Sequence, residues 1–466
     1  MSTAAIKRKS KYAVRISKKS RSTAYGGQLI VDAMCRQFGV WEKIAKAREL
    51  NALKGHASGF SPDALAAQVV FTFTSGGVSL SHLERMKHDP VMLESVGLAK
   101  SADPETVVRW LEGQTPASVA ELRAINMALV QDVLKLSDAA RVRNSGGTML
   151  VVYEDHQIRA AGREFEGLRL DPDGFLVLTQ YVLWAGPFLL ELGVDGTEAI
   201  LGDKLELMRR YRHLWQDTLS HFVADADTCS AEQMVEVRKG GFTSWDVRNL
   251  AWDEQLSRVA AELPDAAWSG KVKRIRGVSE SYARIYHTLE GMPVAQAFAV
   301  ARRRADNQPD APWQYTFLTC EPGSARAPNE VFASHRTRKE GRENRIPFFS
   351  ELGLHHPPCK ALAANQMFYT LASIAWNALM AIKILEMPDS AQSWRMESII
   401  QNLLQVPAAQ AKHANQTILK LGVPPSVERR AWWEATLRKL VAKRKRGESL
   451  AESWTKRKRT PKKVGV

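Results

Sequence analysis

From Tyr25 to about Ser137, apolar residues recur at i, i+3 and i+4. The pattern appears in Leu29-Ile30-Ala33-Met34, in Leu65-Val69-Val70-Phe73 and in Leu122-Ile125-Leu129-Val133. This spacing puts apolar side chains on one face of a 3.6-residue turn and predicts a run of helices. Their starts are marked by Ser61-Pro62-Asp63, Asp103-Pro104-Glu105 and Thr115-Pro116, each a cap residue followed by proline at the first helical position. Gly76-Gly77 ends the second of these helices.

At Thr148 the period changes. Met149-Leu150-Val151-Val152-Tyr153 is a continuous apolar run after Ser145-Gly146-Gly147, the form of a buried strand, and it ends in Glu154-Asp155-His156. Strands follow at Phe175 to Trp184 and Phe188 to Leu192, then a helix at Leu205 to Leu214 and a further strand at Thr218 to Ala224, which ends in Asp225-Ala226-Asp227. Strands separated by a helical segment predict an α/β core. From about 231 to 330 the sequence predicts helices at Ala231 to Val237 and Trp252 to Leu263. It then alternates in the manner of strands at Tyr282 to His287, Gln296 to Arg302 and Gln314 to Thr319, a β-rich insertion. Ala361 to Ile382 holds no charged residue but carries Asn365, Gln366, Thr370, Ser373 and Asn377. Those polar groups favour a helix buried in a domain over a membrane span. Helices are predicted again at Trp394 to Leu404, Ala408 to Leu421 and Ser426 to Val441.

Composition adds a partner. The 466 residues carry 65 Lys and Arg against 50 Asp and Glu, a formal net charge of +15. Such an excess attracts polyanions and supports salt-dependent contact with phosphate backbones. It concentrates in an arm over residues 1–23, in a tail over 443–466 and in the stretch Arg336 to Arg345. With that charge, Pro104 to Leu111, presenting Thr106 and Arg109 on one face, reads as a recognition helix or as a plain bundle element. Cys35, Cys229, Cys320 and Cys359 have neither zinc-ligand nor disulfide-framework spacing, and residues 1–21 lack the apolar core of a signal peptide. Reduced thiols in a cytoplasm are expected.

Phosphodiester transfer needs an activated water or hydroxyl and neutralisation of the phosphate in flight. Divalent cations held by carboxylates supply both. Asp155 and Asp225 at strand ends and Glu343 among basic residues are the candidate metal-binding and catalytic acids, with Mg²⁺ (or Mn²⁺) as the cofactor. Glu154 and Asp227 are rival acids. Arg109, Arg336, Arg338, Lys339, Arg342 and Arg345 are the candidate DNA-binding residues. The tryptophans of the insertion and His221, His287, His355 and His356 read as core or solvated groups. Asn365 and Asn377 are expected to hydrogen-bond within the core.

Four places carry a resemblance to the DDE-type insertion-sequence transposases, cut-and-paste enzymes with an RNase H-like core. They are Gly59 to Leu80 with His88-Asp89-Pro90; Tyr153-Glu154-Asp155; Val223-Ala224-Asp225; and Arg342-Glu343-Asn344-Arg345-Ile346, followed by Leu352-Gly353-Leu354, Pro358-Cys359-Lys360 and Ala363-Ala364-Asn365. The similarity spans most of residues 25 to 425. Where the family signature has Tyr, Arg and Lys around its glutamate, this chain has Arg336, Lys339 and Ser350.

The resemblance implies an α/β chain with an RNase H-like mixed sheet, in which Asp155, Asp225 and Glu343 hold the metals. It implies a helical DNA-binding domain at 24–140, a catalytic domain at 141–386 with its β-rich insertion, and a helical C-terminal region at 387–442. It also implies cleavage at the element's terminal inverted repeats, transfer of a 3′ hydroxyl to target DNA, and a homodimer bridging two ends without any membrane. The alternatives are a catalytically degenerate DNA-binding derivative and a related nuclease without strand transfer.

Overall fold

The computed structural model describes residues 21–52, 59–143, 147–159, 164–196, 206–207, 209–215, 219–225, 242, 244–248, 252–269, 273–275, 277–289, 294–321, 323, 325–336, 354, 356–413, 416–422 and 430–436. Within them the chain is mixed α/β. A short strand β1 (Ser22–Thr23) leads into helices Gln28–Gln37, Val40–Lys46, Pro62–Thr74, Leu83–Lys87, Pro90–Ser95, Pro104–Glu112, Pro116–Leu136 and Ala139–Val142. The three proline-marked starts fall where the sequence puts them, and Thr115 forms a reciprocal capping box with Ser118. The helix from Pro62 stops at Thr74, before Gly76 turns with φ of 78°.

The main sheet begins with β2 (Met149–Arg159), β3 (Arg169–Leu170), β4 (Leu176–Ala185) and β5 (Phe188–Asp195), and continues with β6 (Ser220–Asp225) and β7 (Ser244–Arg248). β4 and β5 are joined through Gly186, whose φ of 55° brings it so near the Val142 carbonyl that a Cβ would lie 2.6 Å from that oxygen. Only glycine makes this turn without strain. After helix Asp253–Ala261 come β8 (Lys273–Ile275), β9 (Val278–His287), β10 (Gln296–Ala305) and β11 (Gln314–Cys320). The strand order is β3-β4-β2-β6-β7-β11-β10-β9-β8, with β5 also pairing β4. β2, β6 and β7 are mutually parallel, whereas β4 and β5 run antiparallel.

Ser244–Arg248, not placed by the sequence pattern, is a strand beside β6, and β11 pairs with it, so the strands of the expected β-rich insertion continue the core sheet. One expectation is corrected. Ala408 to Leu421 is not helical but a hairpin, β12 (Ala408–His413) and β13 (Gln416–Leu421), with β12 pairing β1. Alanine-rich sequence favours a helix locally, and the ladder offered by β1 overrides that weak preference. Residues 430–436 are helical, as expected within 426–441.

The helix Leu362–Glu386 is the centre of the molecule, and 89% of its most apolar stretch is buried inside the protein. It packs on Pro116–Leu136, Pro62–Thr74 and β5, and Trp376 meets Trp184 of β4 edge-on at 5.2 Å. One continuous apolar core runs from Ile30 through the sheet to Val406. Asn377 and Asn126 bridge the central helix, the Pro116–Leu136 helix and β5. Asn377 accepts from Leu189 N at 2.9 Å and donates to Asn126 Oδ1 at 2.8 Å. Asn365 pairs with both backbone groups of Cys359. Both asparagines are therefore core hydrogen-bonding groups, as expected.

Candidate active site

β2 and β6 are adjacent and parallel, in register from Met149↔Ser220 to Tyr153↔Ala224. Parallel neighbours present the same ends together, so Asp155 and Asp225 both sit toward the C-terminal end of this pair. One residue beyond the last pair, position 225 is level with Glu154 and by strand alternation falls on the Glu154 side of the sheet. Asp155 extends one further, along the part of β2 that pairs only with β4.

The pleat separates the two acids of β2. Leu150, Val152 and Glu154 share a face with His221 and Val223 of β6 and with Ser244 and Asp246 of β7. Trp184, paired with Val152 and packed on Trp376, puts the central helix on that face. Asp155 lies on the opposite face with Tyr153, whose hydroxyl approaches Asp155 Oδ2 at 3.4 Å. Burial first, and then the nearby Asp155 charge, push the Tyr153 phenol well above its ordinary value. Asp155 is level with Tyr181 of β4. The Tyr181 hydroxyl accepts from Arg123 at 2.9 Å, and Arg123 also pairs with the buried Glu191 at 3.1 Å. Tyr211 donates to Glu191 at 2.9 Å. This cluster ties the Pro116–Leu136 helix to the sheet on the face of Asp155.

Glu343, Arg338, Lys339, Arg342, Arg345 and the rival acid Asp227 lie outside the described residues, as does the side chain of Asp225. Among the described residues no group of three or more His, Cys, Asp or Glu could hold a metal ion. The expected strand-end position holds for Asp225 but not for Asp155, because β2 runs on to Arg159 in its ladder with β4; carboxylate oxygens are nonetheless the donor type a hard cation such as Mg²⁺ prefers. Arg336 is the last described residue of the helix at 328–336, and its guanidinium donates to Glu280 Oε1 at 2.6 Å and to the Tyr282 hydroxyl at 3.1 Å. Glu280 also receives Arg303 at 2.6 Å. Burial pushes the Glu280 carboxyl up, but hydrogen bonds from Tyr282, Arg303 and Arg336 outweigh it and hold the group below the usual carboxylate range. Arg109 is exposed on helix Pro104–Glu112, its guanidinium 3.5 Å from Thr106 Oγ1, so the two share a surface. The C-terminal Glu112 of that helix accepts from Lys360 N at 2.6 Å and Ala361 N at 3.1 Å, joining it to the start of the central helix.

Sequence reading missed one arrangement, a polar cluster between β6, β7 and the helix at 328–336. His221 Nε2 is 2.8 Å from Asp246 Oδ2 and 3.0 Å from Ser334 Oγ, while Nδ1 is 2.7 Å from Ser244 Oγ. Arg326 grips Asp246 with two bonds, of 2.8 and 3.1 Å. Asp246 is fully buried and His221 is 5% exposed. A carboxylate only accepts, so Nε2 carries the hydrogen. Burial raises the Asp246 carboxyl, yet the bonds and charges of His221 and Arg326 prevail and keep it low. The available signal was a polar residue inside each of two apolar strands, Ser220-His221-Phe222-Val223 and Trp245-Asp246-Val247.

No family model matches the chain. A comparison with curated proteins finds no match either.

Proposed function

We propose that this chain is a DNA transposase of an insertion sequence, with an RNase H-like core, that binds the ends of its element and catalyses metal-dependent cleavage and strand transfer. The observation that carries the reading is the pairing of β2 with β6. β6 ends in Asp225, level with Glu154 of its parallel neighbour β2 and one residue short of Asp155, which alternation puts on the other side of the sheet, within an order β5-β4-β2-β6-β7 whose antiparallel meander precedes two parallel strands. This order agrees with the core that the four motifs imply, and the +15 charge suits a DNA substrate.

Asp155, Asp225 and Glu343 would hold Mg²⁺ or Mn²⁺. When bound, the cations neutralise phosphate charge and activate the attacking water or hydroxyl. The chain's own contribution is positional. The β2–β6 ladder fixes the spacing of the first two acids, Arg109 contacts the DNA backbone, and the basic residues around Glu343 bind phosphates. A homodimer bridges two ends.

The degenerate, binding-only reading is favoured by one observation: Arg336, at the family's tyrosine position, is engaged by Glu280 and Tyr282. A single assay separates the two readings. Purified protein is incubated with DNA bearing the element ends and flanking sequence, with and without Mg²⁺. Cleavage that needs Mg²⁺ and vanishes in Glu343→Gln, with the gel shift intact, supports the transposase. A shift with no cleavage in the unaltered protein leaves the binding-only reading.

A further inference from the structure

The buried cluster of His221, Ser244, Asp246, Arg326 and Ser334 has no place in the chemistry above, yet it joins three elements that surround the site. β6 ends in Asp225, β7 lies beside it, and the helix at 328–336 leads along the chain toward Glu343. Every bond in the cluster crosses between elements. His221 of β6 meets Ser244 and Asp246 of β7, Ser334 meets His221 from the helix, and Arg326 meets Asp246 from the turn before it.

The composition is costly unless it serves a purpose, since a buried carboxylate is retained only when paired and hydrogen-bonded. Apolar residues would fill the same space, but they would leave the helix free to slide on the sheet. A bidentate Arg326–Asp246 pair and a two-sided imidazole admit one register.

We propose that His221 and Asp246 are positioning residues, a polar clamp that fixes the helix at 328–336 on β6 and β7 and so holds β6, which ends in Asp225, in place beside β7. This rests on the transposase reading. The clamp acts through the backbone it holds and touches neither DNA nor metal.

The test uses the full-length protein with Ser334→Ala, Ser334→Thr and His221→Gln. Ser334→Ala removes the hydroxyl that meets His221 of β6 and leaves the buried Asp246–Arg326 pair intact, so it is expected to retain the fold. Two quantities are measured: affinity for end DNA by gel shift, and single-turnover cleavage in Mg²⁺ at saturating DNA. Ser334→Ala and His221→Gln are expected to keep DNA affinity within about twofold while cleavage slows by roughly tenfold, the scale of one hydrogen bond. Ser334→Thr, which keeps the hydroxyl, restores the rate. Folded variants that cleave like the unaltered protein overturn the clamp, as do variants whose affinity and cleavage fall together.

If the unaltered protein binds but does not cleave, the transposase reading fails, and hydrogen exchange then decides the clamp. Amides of 328–336 are expected to exchange about tenfold faster in Ser334→Ala than in the unaltered protein, with β4 and β5 unchanged. Equal exchange overturns the clamp.

Discussion

Asn377→Ala probes the bridge at the middle of the molecule. The side chain is fully buried; its Oδ1 accepts from Leu189 N at 2.9 Å, and its Nδ2 donates to Leu189 O at 2.7 Å and to Asn126 Oδ1 at 2.8 Å. Truncation strips the partner from Leu189 N and from Asn126 Oδ1, while Leu189 O keeps Asn126 Nδ2 at 3.2 Å. Two stranded groups at roughly 1–3 kcal/mol each give an expected loss of about 2–6 kcal/mol.

The assay is urea unfolding followed by circular dichroism, read at the first cooperative transition because a chain of this size need not unfold in one step. Asn377→Leu restores volume without hydrogen bonds and should cost about as much as Asn377→Ala. A double-mutant cycle with Asn126→Ala should give a coupling on the order of 1–3 kcal/mol. Additive losses within about 0.5 kcal/mol, or a Leu variant as stable as the unaltered protein, would refute the bridge as the link between these three elements.

Four further outcomes are expected. Asp155→Asn should abolish Mg²⁺-dependent cleavage of end DNA while Glu154→Gln, on the other face of β2, keeps it; the reverse result would transfer the first acid to Glu154. Arg109→Ala should weaken DNA binding across sequences and lower the slope of log affinity against log salt by about one, measured by titration at several salt concentrations. The Glu280 carboxyl is depressed in the folded chain, so its stabilisation is complete above its unfolded pKa of about 4.3 and is lost as pH falls through the lower folded value. Urea midpoints of Glu280→Gln between neutral and acid pH should therefore fall less on acidification than those of the unaltered protein. Cys35, Cys320 and Cys359 are buried, and burial raises the Cys320 and Cys359 thiols to about 11 and about 12. Peptide mapping should find all three unalkylated by iodoacetamide at pH 8 until the protein is unfolded.

Local signals were legible in the sequence where one residue type has one physical use. Ser61, Asp103 and Thr115 before proline mark helix starts, Gly76-Gly77 marks a stop, and the apolar runs at Met149, Phe188 and Gln296 become strands. Ala408 to Leu421 was misread because its preference is local and its partner, Ser22-Thr23, lies at the other end of the described chain. Ser244 to Arg248 was passed over because Asp246 interrupts the apolar pattern, and only the arrival of Arg326 and His221 makes that carboxylate compatible with burial. The assignment of Asp155 and Glu154 to opposite faces was implicit in strand alternation. Which face holds the central helix was not, because it depends on Trp184 meeting Trp376 across nearly two hundred residues of chain.

The pairing of β1 with β12 has a consequence for how the protein is made. Ser22 and Thr23 leave the ribosome early, yet their partners Ala409 and Ala408 are translated only after the whole core sheet and the central helix. Gly26 and Gly27 likewise wait for the Val406 and Leu404 carbonyls. A nascent chain can therefore settle its local helices first, but β1 waits for a partner made after the core sheet and the central helix. Stalling translation just past Glu386 should give an intermediate in which Ser22 to Gly27 is open to protease, although everything from there to the central helix is already synthesised.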